Sequence, residues 1–225
     1  MASNAQEGEA LEKDVVSTAD TKETAAQKAK QAGRLHKECV KMRYNAIGFN
    51  PTVKFMLQKI QALGCELPDY EELIQCVPCG DGESGGHTGG FSAWNDEGKP
   101  TEPRIVLCEN TPISGFQFVC DQTIVHELVH AYDQCRAKVD WSNCSHHACS
   151  EIRASSLSGE CRYTNELLRG NWKNWAKHHR TCVKRRAKMS VEQNLACKGK
   201  ADAFVEAVFD ACYEDTAPFD WQPRG

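Results

Sequence analysis

His126, Glu127 and His130 stand in the segment TIVHELVHAYDQC, Thr123 to Cys135, in the order His-Glu-x-x-His. On an α-helix, positions i and i+4 lie one above the other, so both imidazoles can address a single cation from one face. Glu127 sits beside the first histidine, where its carboxylate reaches a water on that cation without ligating it. Zinc takes imidazole nitrogen readily and lowers the pKa of bound water to about 7. A glutamate so placed serves as base for that water and then as acid for a leaving amine. The competing reading is an ordinary core helix that uses these groups for hydrogen bonds. Against it, Ile124, Val125, Leu128 and Val129 already supply apolar flanks. Two histidines and a carboxylate buried without a cation would be costly. The spacing favours a catalytic metal helix.

Such a site needs a third protein ligand and an open fourth position. Downstream candidates are Asp133, Asp140, His146, His147 and Glu151. Asp133 shares the helix with the histidines and suits orienting one of them better than closing a tetrahedron. Glu151 lies in HHACSEIRASSLSG, a second helical segment, and a carboxylate from a helix packed beside the first makes a two-His-one-Glu set. Its bland alternative is an ion pair with Arg153, Arg136 or Arg162. Tyr132, Tyr163, Arg153 and a histidine are candidates to stabilise a tetrahedral oxyanion.

The elements that must position these groups can be read from periodicity and turn chemistry. RLHKECVKMRYNAIGF carries Leu35, Cys39, Met42 and Ala46 at helical spacing. Asn50-Pro51 then caps a second helix with Val53, Met56, Leu57, Ile60 and Leu63 on one face and Gly64 as its stop. CVPCGDGESGGHTGGFSAWNDEGKPTEP reads largely as loop. Its Cys76-x-x-Cys79 pair with His87 resembles half a zinc site, but no second pair follows and disulfide bonding is favoured. RIVLCEN, Arg104 to Asn110, is the clearest strand, with CVPC a weaker one. Helices are expected over 147–157, from Thr164 to about Arg186, and over Lys200–Tyr213. The fold class is α+β, mostly helical, with a small sheet ahead of the metal helix. Residues 1–33, rich in Ala, Glu, Lys and Thr, read as a disordered or frayed tail, and 34–225 as one domain.

Thirteen cysteines in 225 residues, spread from Cys39 to Cys212, imply an oxidising compartment with several disulfides and at least one unpaired thiol. Yet the first thirty residues lack an apolar stretch for secretion, and they are too acidic for a cleavable mitochondrial leader. Lys+Arg of 27 against Asp+Glu of 31 gives −4, which argues for no nucleic-acid partner. No apolar run approaches the ~20 residues of a bilayer span. KHHRTCVKRRAK, Lys177 to Lys188, reads as a solvated helix face or as a surface for anionic lipid, with Trp172 and Trp175 at its edge.

Three blocks, HELVHAYDQCR, DWSNCSHHACSEIRASSLSGEC and DACYEDTAPFD, closely resemble the mitochondrial inner-membrane metalloproteases of the intermembrane space, over about Arg34 to Asp220. The resemblance implies a zincin-like domain in which His126 and His130 bind zinc and Glu127 is catalytic. It implies an endopeptidase, peripheral on the inner membrane, that matures the precursor of the ATP synthase proton-channel subunit and assists its assembly. It further implies disulfides formed on import without a cleavable leader, which would reconcile the cysteines with the acidic tail. Animal relatives have also been named as Ku-binding proteins. A non-catalytic assembly factor and a nuclear repair partner are the rival functions. From the residues themselves, Cys120, Cys135, Cys144, Cys149 and Cys161 could crosslink the two ligand helices, and RIVLCEN could pair with an extended substrate as an edge strand.

Overall fold

The computed structural model describes residues 7–80, 88–94, 100–171 and 177–221. His87, Trp172 and Trp175 lie outside them. Helix α1 (Glu7–Phe49) runs unbroken through position 33. Residues 25–34 are exposed on every side, and contact with the body starts at Leu35, after which Cys39 and Ala46 are buried. Helix α2 (Pro51–Ala62) starts as its sequence dictates. Asn50 accepts from the Thr52 and Val53 amides at 2.9 and 3.2 Å, and Pro51 occupies the first turn, where no amide donor is needed. The Asn50 amide also donates to Asp121 at 2.9 Å, which ties the start of α2 to the metal helix.

A short helix α3 (Tyr70–Leu73) leads into strand β1 (Ile74–Val77), followed by β2 (Gly89–Trp94) and β3 (Pro100–Cys108). The sheet order is β1-β3-β2. β3 runs parallel to β1, with Ile74 opposite Ile105, and antiparallel to β2, with Phe91 opposite Ile105. Two expectations are corrected here. Part of the glycine-rich loop is a strand, and the RIVLCEN strand is central, so among the described residues β2 rather than β3 is the edge strand beside the metal helix. Of the two glycines that disguised β2, Gly89 is required by packing, whereas a side chain at Gly90 would meet open space. A Cβ on Gly89 would sit 2.7 Å from Thr123 Cγ2 and 2.8 Å from the Val106 carbonyl oxygen.

Helix α4 (Gln117–Ala137) follows a single 3-10 turn and ends at Lys138 in the left-handed region, φ 50°. Helix α5 (Cys144–Leu157) is capped by Asn143, whose side chain accepts from the Ser145 and His146 amides. The long helix expected from Thr164 to Arg186 is two. α6 (Tyr163–Leu168) closes where Gly170, at φ 78°, lets the Asn171 amide reach back to the Glu166 carbonyl at 2.8 Å. α7 (His178–Val191) and α8 (Ala201–Glu214) then pack against α5. Among the described residues no helix is long and apolar enough to cross a membrane.

Twelve cysteines pair as Cys39–Cys76, Cys65–Cys135, Cys79–Cys108, Cys144–Cys197, Cys149–Cys212 and Cys161–Cys182, leaving Cys120 free and buried. Cys76 and Cys79 are both oxidised, each to a distant partner. No bond joins α4 to α5, so the expected crosslink between the ligand helices is absent. The basic run is also not a free cationic face. On α7, Arg180, Lys184 and Lys188 pair with Asp210, Glu206 and Asp202 of α8, while Arg185 and Arg186 pair with Glu166 and Glu160.

Candidate metal centre

Helix α4 carries an apolar face of Ile124, Leu128 and Ala131 into the first core, next to the sheet. That placement turns His126, Glu127 and His130 toward α5. About two turns into α5, Glu151 comes up against both rings. Its Oε2 lies 3.4 Å from His126 Nε2, and its Oε1 lies 3.5 Å from His130 Nε2. One donor atom from each of His126, His130 and Glu151 falls within 4.8 Å of the others. His130 and Glu151 are buried and His126 nearly so. Two of the three arginines considered as partners of Glu151 are engaged elsewhere: Arg153 with Asp133 and Asp215, and Arg136 with the same two acids.

Each of the three groups is held from behind. Glu160 Oε1 lies 3.3 Å from His126 Nδ1, and its other oxygen takes the Arg186 Nε–H at 3.0 Å. His130 Nδ1 meets the Ser150 hydroxyl at 2.8 Å; that hydroxyl donates to Asp133 at 3.1 Å, and Asp133 accepts from Arg153 Nε at 3.0 Å. Asp133 thus acts on a ring only through Ser150. Glu151 Oε1 accepts from His147 Nε2 at 3.3 Å, and His147 Nδ1 faces the Asn194 amide nitrogen at 3.1 Å.

Two carboxylate oxygens, Glu151 Oε2 and Glu160 Oε1, are buried without a hydrogen-bond partner; the second is near His126 Nδ1 but not aligned with it. An orphaned acceptor of this kind costs about 1–3 kcal/mol or more when charged. A cation between the imidazoles would relieve Glu151 Oε2, so the donor set fits a divalent ion of the imidazole-and-carboxylate type.

The protonation of the site shows the same demand for positive charge. Burial disfavours a charged His126 ring, but Glu160 and then Glu151 outweigh it and raise its pKa well above 6.5. Burial drives His130 down to about 3 despite Glu151 beside it. Burial also lifts Glu127 to about 7, with the His126 charge opposing and Glu151 and Glu160 reinforcing. Glu151 itself is held well below its usual value, because the neighbouring rings, His130 foremost, overcome burial. Glu127 is therefore poised to hold and release a proton near neutrality.

The other sequence candidates fall outside. Asp140 and His146 bond each other on an exposed turn, with the Asp140 amide 3.3 Å from His146 Nδ1. Tyr132 packs beneath the Arg136 guanidinium, Tyr163 lies against His178, and Arg153 is locked under the site. None of Tyr132, Tyr163 and Arg153 lines the cleft, and the histidine it contains besides His126 and His130 is His147, alongside Trp141. Glu160, Arg186, Ser150 and Asn194 escaped sequence reasoning. Arg186 had a signal, but it was submerged in a basic run that suggested solvent or lipid.

Residues 37–220 match the model of the Peptidase M76 family. The chain is similar to the mitochondrial inner membrane protease atp23 of Schizosaccharomyces pombe, 41% identical over 186 residues, covering 82% of this chain and 92% of that one. The Saccharomyces cerevisiae protein of the same name is 39% identical over 200 residues, covering 84% and 82%. That of Yarrowia lipolytica is 39% identical over 184 residues, covering 81% and 67%. No solved structure matches the chain.

Proposed function

This chain belongs to the peptidase M76 family and is a metallopeptidase, and from that premise we propose that it is a zinc endopeptidase whose ion is held by His126, His130 and Glu151 and whose catalytic base is Glu127. The observation that carries the assignment is the convergence of the three groups with Glu151 Oε2 left orphaned. A bound zinc ion would supply Lewis acidity, lowering the pKa of water and polarising a carbonyl. Glu127 then takes the proton of the attacking water and delivers it to the amine as the peptide bond breaks. Ser150 and Glu160 keep the two rings turned toward the ion, and His147 does the same for Glu151. Strand β2 is an edge strand among the described residues, and an extended peptide can lie along it over the site.

The substrate we assign is a membrane-protein precursor, the ATP synthase proton-channel subunit, with assistance in its assembly. Relatives named as inner membrane proteases support this, as does the sequence resemblance. Six disulfides favour the intermembrane space over a reducing compartment and count against a nuclear role. Attachment to the membrane would be peripheral. Residues 34–225 form the catalytic domain on this reading, supported by burial that begins near Leu35 and by the matched range.

The test uses the oxidised, zinc-loaded chain. Glu127→Gln should lower peptide cleavage by roughly 10²–10⁴-fold, the usual contribution of a general base, with metal content unchanged. Glu151→Ala should lose the metal itself. Wild-type protein with stoichiometric zinc but no Glu127-dependent cleavage of any peptide would overturn the assignment. If assembly survives in the Glu127→Gln protein, that role is separable from cleavage.

A further inference from the structure

The cleft over α4 has two chambers that share Gly89, His126, Glu127 and Ser190. The inner one, about 250 Å³, holds the polar groups already described: His130, His147, Glu151 and Trp141. The outer one is about 530 Å³ and has a different character. Its lip is formed by Pro112, Phe116, Phe118, Val119 and Leu168. Phe116, Phe118 and Leu168 are 57%, 43% and 77% exposed, far more than large apolar side chains need to be beside a cavity. The Phe116 and Phe118 rings pack together with centroids 5.8 Å apart.

Most polar residues of the outer chamber are satisfied within the protein; the exception is Glu160 Oε1, which sits 3.3 Å from His126 Nδ1 at the wall shared with the metal centre. Asn165 donates to the Gly159 carbonyl and to Gln122, each at 3.0 Å. Arg169 donates to the Glu160 carbonyl at 2.7 Å and to Glu166 at 3.0 Å. Arg186 is committed to Glu160. Away from the wall that carries His126, Glu127 and Glu160, the described lining offers no unpaired charge to recruit a charged side chain, whereas the apolar lip is left open to water.

We propose that the outer chamber is the specificity subsite of the peptidase, taking one large apolar side chain, such as Phe, Leu, Met or Trp, next to the bond that is cut. The inference rests on the peptidase reading above and names its substrate class. Its geometry follows from the shared wall. A peptide carbonyl in the inner chamber, within reach of Glu127, leaves the adjacent residue only about 3.3–3.6 Å further along an extended chain. That distance carries its side chain past His126 and Glu127 into the outer chamber. Enclosing it removes both the ligand's apolar surface and the exposed lip from water. Such segments are abundant in membrane proteins.

The experiment compares zinc-loaded wild type with Phe118→Asp and Leu168→Asp on an internally quenched peptide library that varies the residues flanking the cleaved bond. Both positions are exposed, so metal content and thermal midpoint serve as controls for folding. Wild type should prefer a large apolar residue over Ala or Asp at one flanking position by at least about tenfold in kcat/KM, the scale of hydrophobic-pocket discrimination. Both variants should collapse that ratio toward unity. Binding of the same peptides to Glu127→Gln protein, read by fluorescence anisotropy, should show the same preference without turnover. Glu127-dependent cleavage with no apolar preference, or with a preference unchanged in both variants, overturns the subsite while leaving the peptidase intact. If the variants instead lose only binding to vesicles of phosphatidylcholine and cardiolipin, the lip is a lipid contact and the proposal is wrong. Absence of Glu127-dependent cleavage removes the peptidase reading and this inference with it.

Discussion

Residues 35–137 are packed mainly by aliphatic side chains: Val53, Met56, Ile60, Ile74, Ile105, Leu107, Ile124 and Leu128 converge between α1, α2, the sheet and α4. Residues 144–214 are built otherwise. Five of the fourteen residues of their buried cluster are cysteines, and ion pairs lace α7 to α8 around it. Three disulfides lie within each half and none crosses between them. The candidate centre sits on the seam, with His126, Glu127 and His130 from the first half and His147, Glu151 and Glu160 from the second. Sulfur fixes each half, but the contact that must be most precise is made by polar groups and, on the proposed reading, by the ion. A protein organised this way can be rigid on both sides of its site while the site itself depends on what binds there.

The comparison breaks most decisively at the seam. Arg153 is 1% exposed and its guanidinium joins Asp133 of α4, Asp215 and the Ala217 carbonyl. Arg153→Leu leaves the buried Asp133 carboxylate with only the Ser150 hydroxyl and the partly exposed Arg136, and should cost about 3 kcal/mol in urea unfolding of the oxidised protein, the low end for breaking a buried pair. A loss below about 1 kcal/mol would mean that the halves do not depend on this pair. Metal removal should act at the same place. If zinc was present at a thousand times its Kd, chelation costs about 4 kcal/mol. Hydrogen exchange should then rise in α4 and α5 facing the seam, with the disulfide-closed interior of each half still protected. Uniform loss of protection would erase the distinction between seam and halves.

The two halves also differed in how well they could be read. The His-Glu-x-x-His helix, the Asn50-Pro51 cap and the RIVLCEN strand depend on local periodicity and capping, and the sequence carries those signals within a few residues. β2 was illegible in part because Gly89 answers to Thr123 and Val106, residues distant in sequence. The break between α6 and α7 needed the positive φ of Gly170 to be weighed above the helical pattern on either side. In the site, Glu151 was reachable from the chemistry of a third ligand. Glu160, Ser150 and Asn194 were not, since nothing local distinguishes a carboxylate that backs a histidine from one that meets solvent. Disulfide pairing was closed for the same reason: Cys65–Cys135 spans 70 positions.

A smaller effect probes how the second half holds its ligand. The Asn194 side chain accepts from the Ala196 amide at 3.0 Å and donates to the Trp141 carbonyl at 2.9 Å, which fixes its orientation. Its nitrogen therefore faces His147 Nδ1 as a donor, so the His147 proton sits on Nε2 and points at Glu151. Asn194→Asp replaces that donor with an acceptor and reverses the tautomer. Metal affinity by chelator competition should fall roughly 10–100-fold, as when such supporting groups are lost. His147→Gln, which keeps an N–H donor, should retain more affinity than His147→Ala. Equal, wild-type affinities in all three would show that Glu151 holds its position without them.

The smallest effect concerns acid. Outside the centre itself, the carboxylates held below their usual pKa among the described residues all lie after residue 138. Among them is Glu166, where burial opposes ionisation but Arg185 and then Arg169 outweigh it. Asp215 is likewise held down by its Arg136 hydrogen bond and the Arg153 charge against burial, and the exposed Glu206 by Lys184 and Lys188. In the first half, burial instead raises Glu127 and Asp133. A carboxylate whose folded pKa is depressed stabilises the protein above its unfolded value and loses that contribution as pH falls through the folded one. A raised one loses nothing on acidification. Outside the centre, where His130 itself disfavours protonation, the second half should therefore open first by hydrogen exchange between about pH 4.5 and 3. Glu166→Gln should flatten that dependence by about 1 kcal/mol or less, because Arg169 and Arg185 are partly exposed and screened. Acid opening that starts in the sheet and α2 would reverse the assignment of charge-dependent stability to the second half.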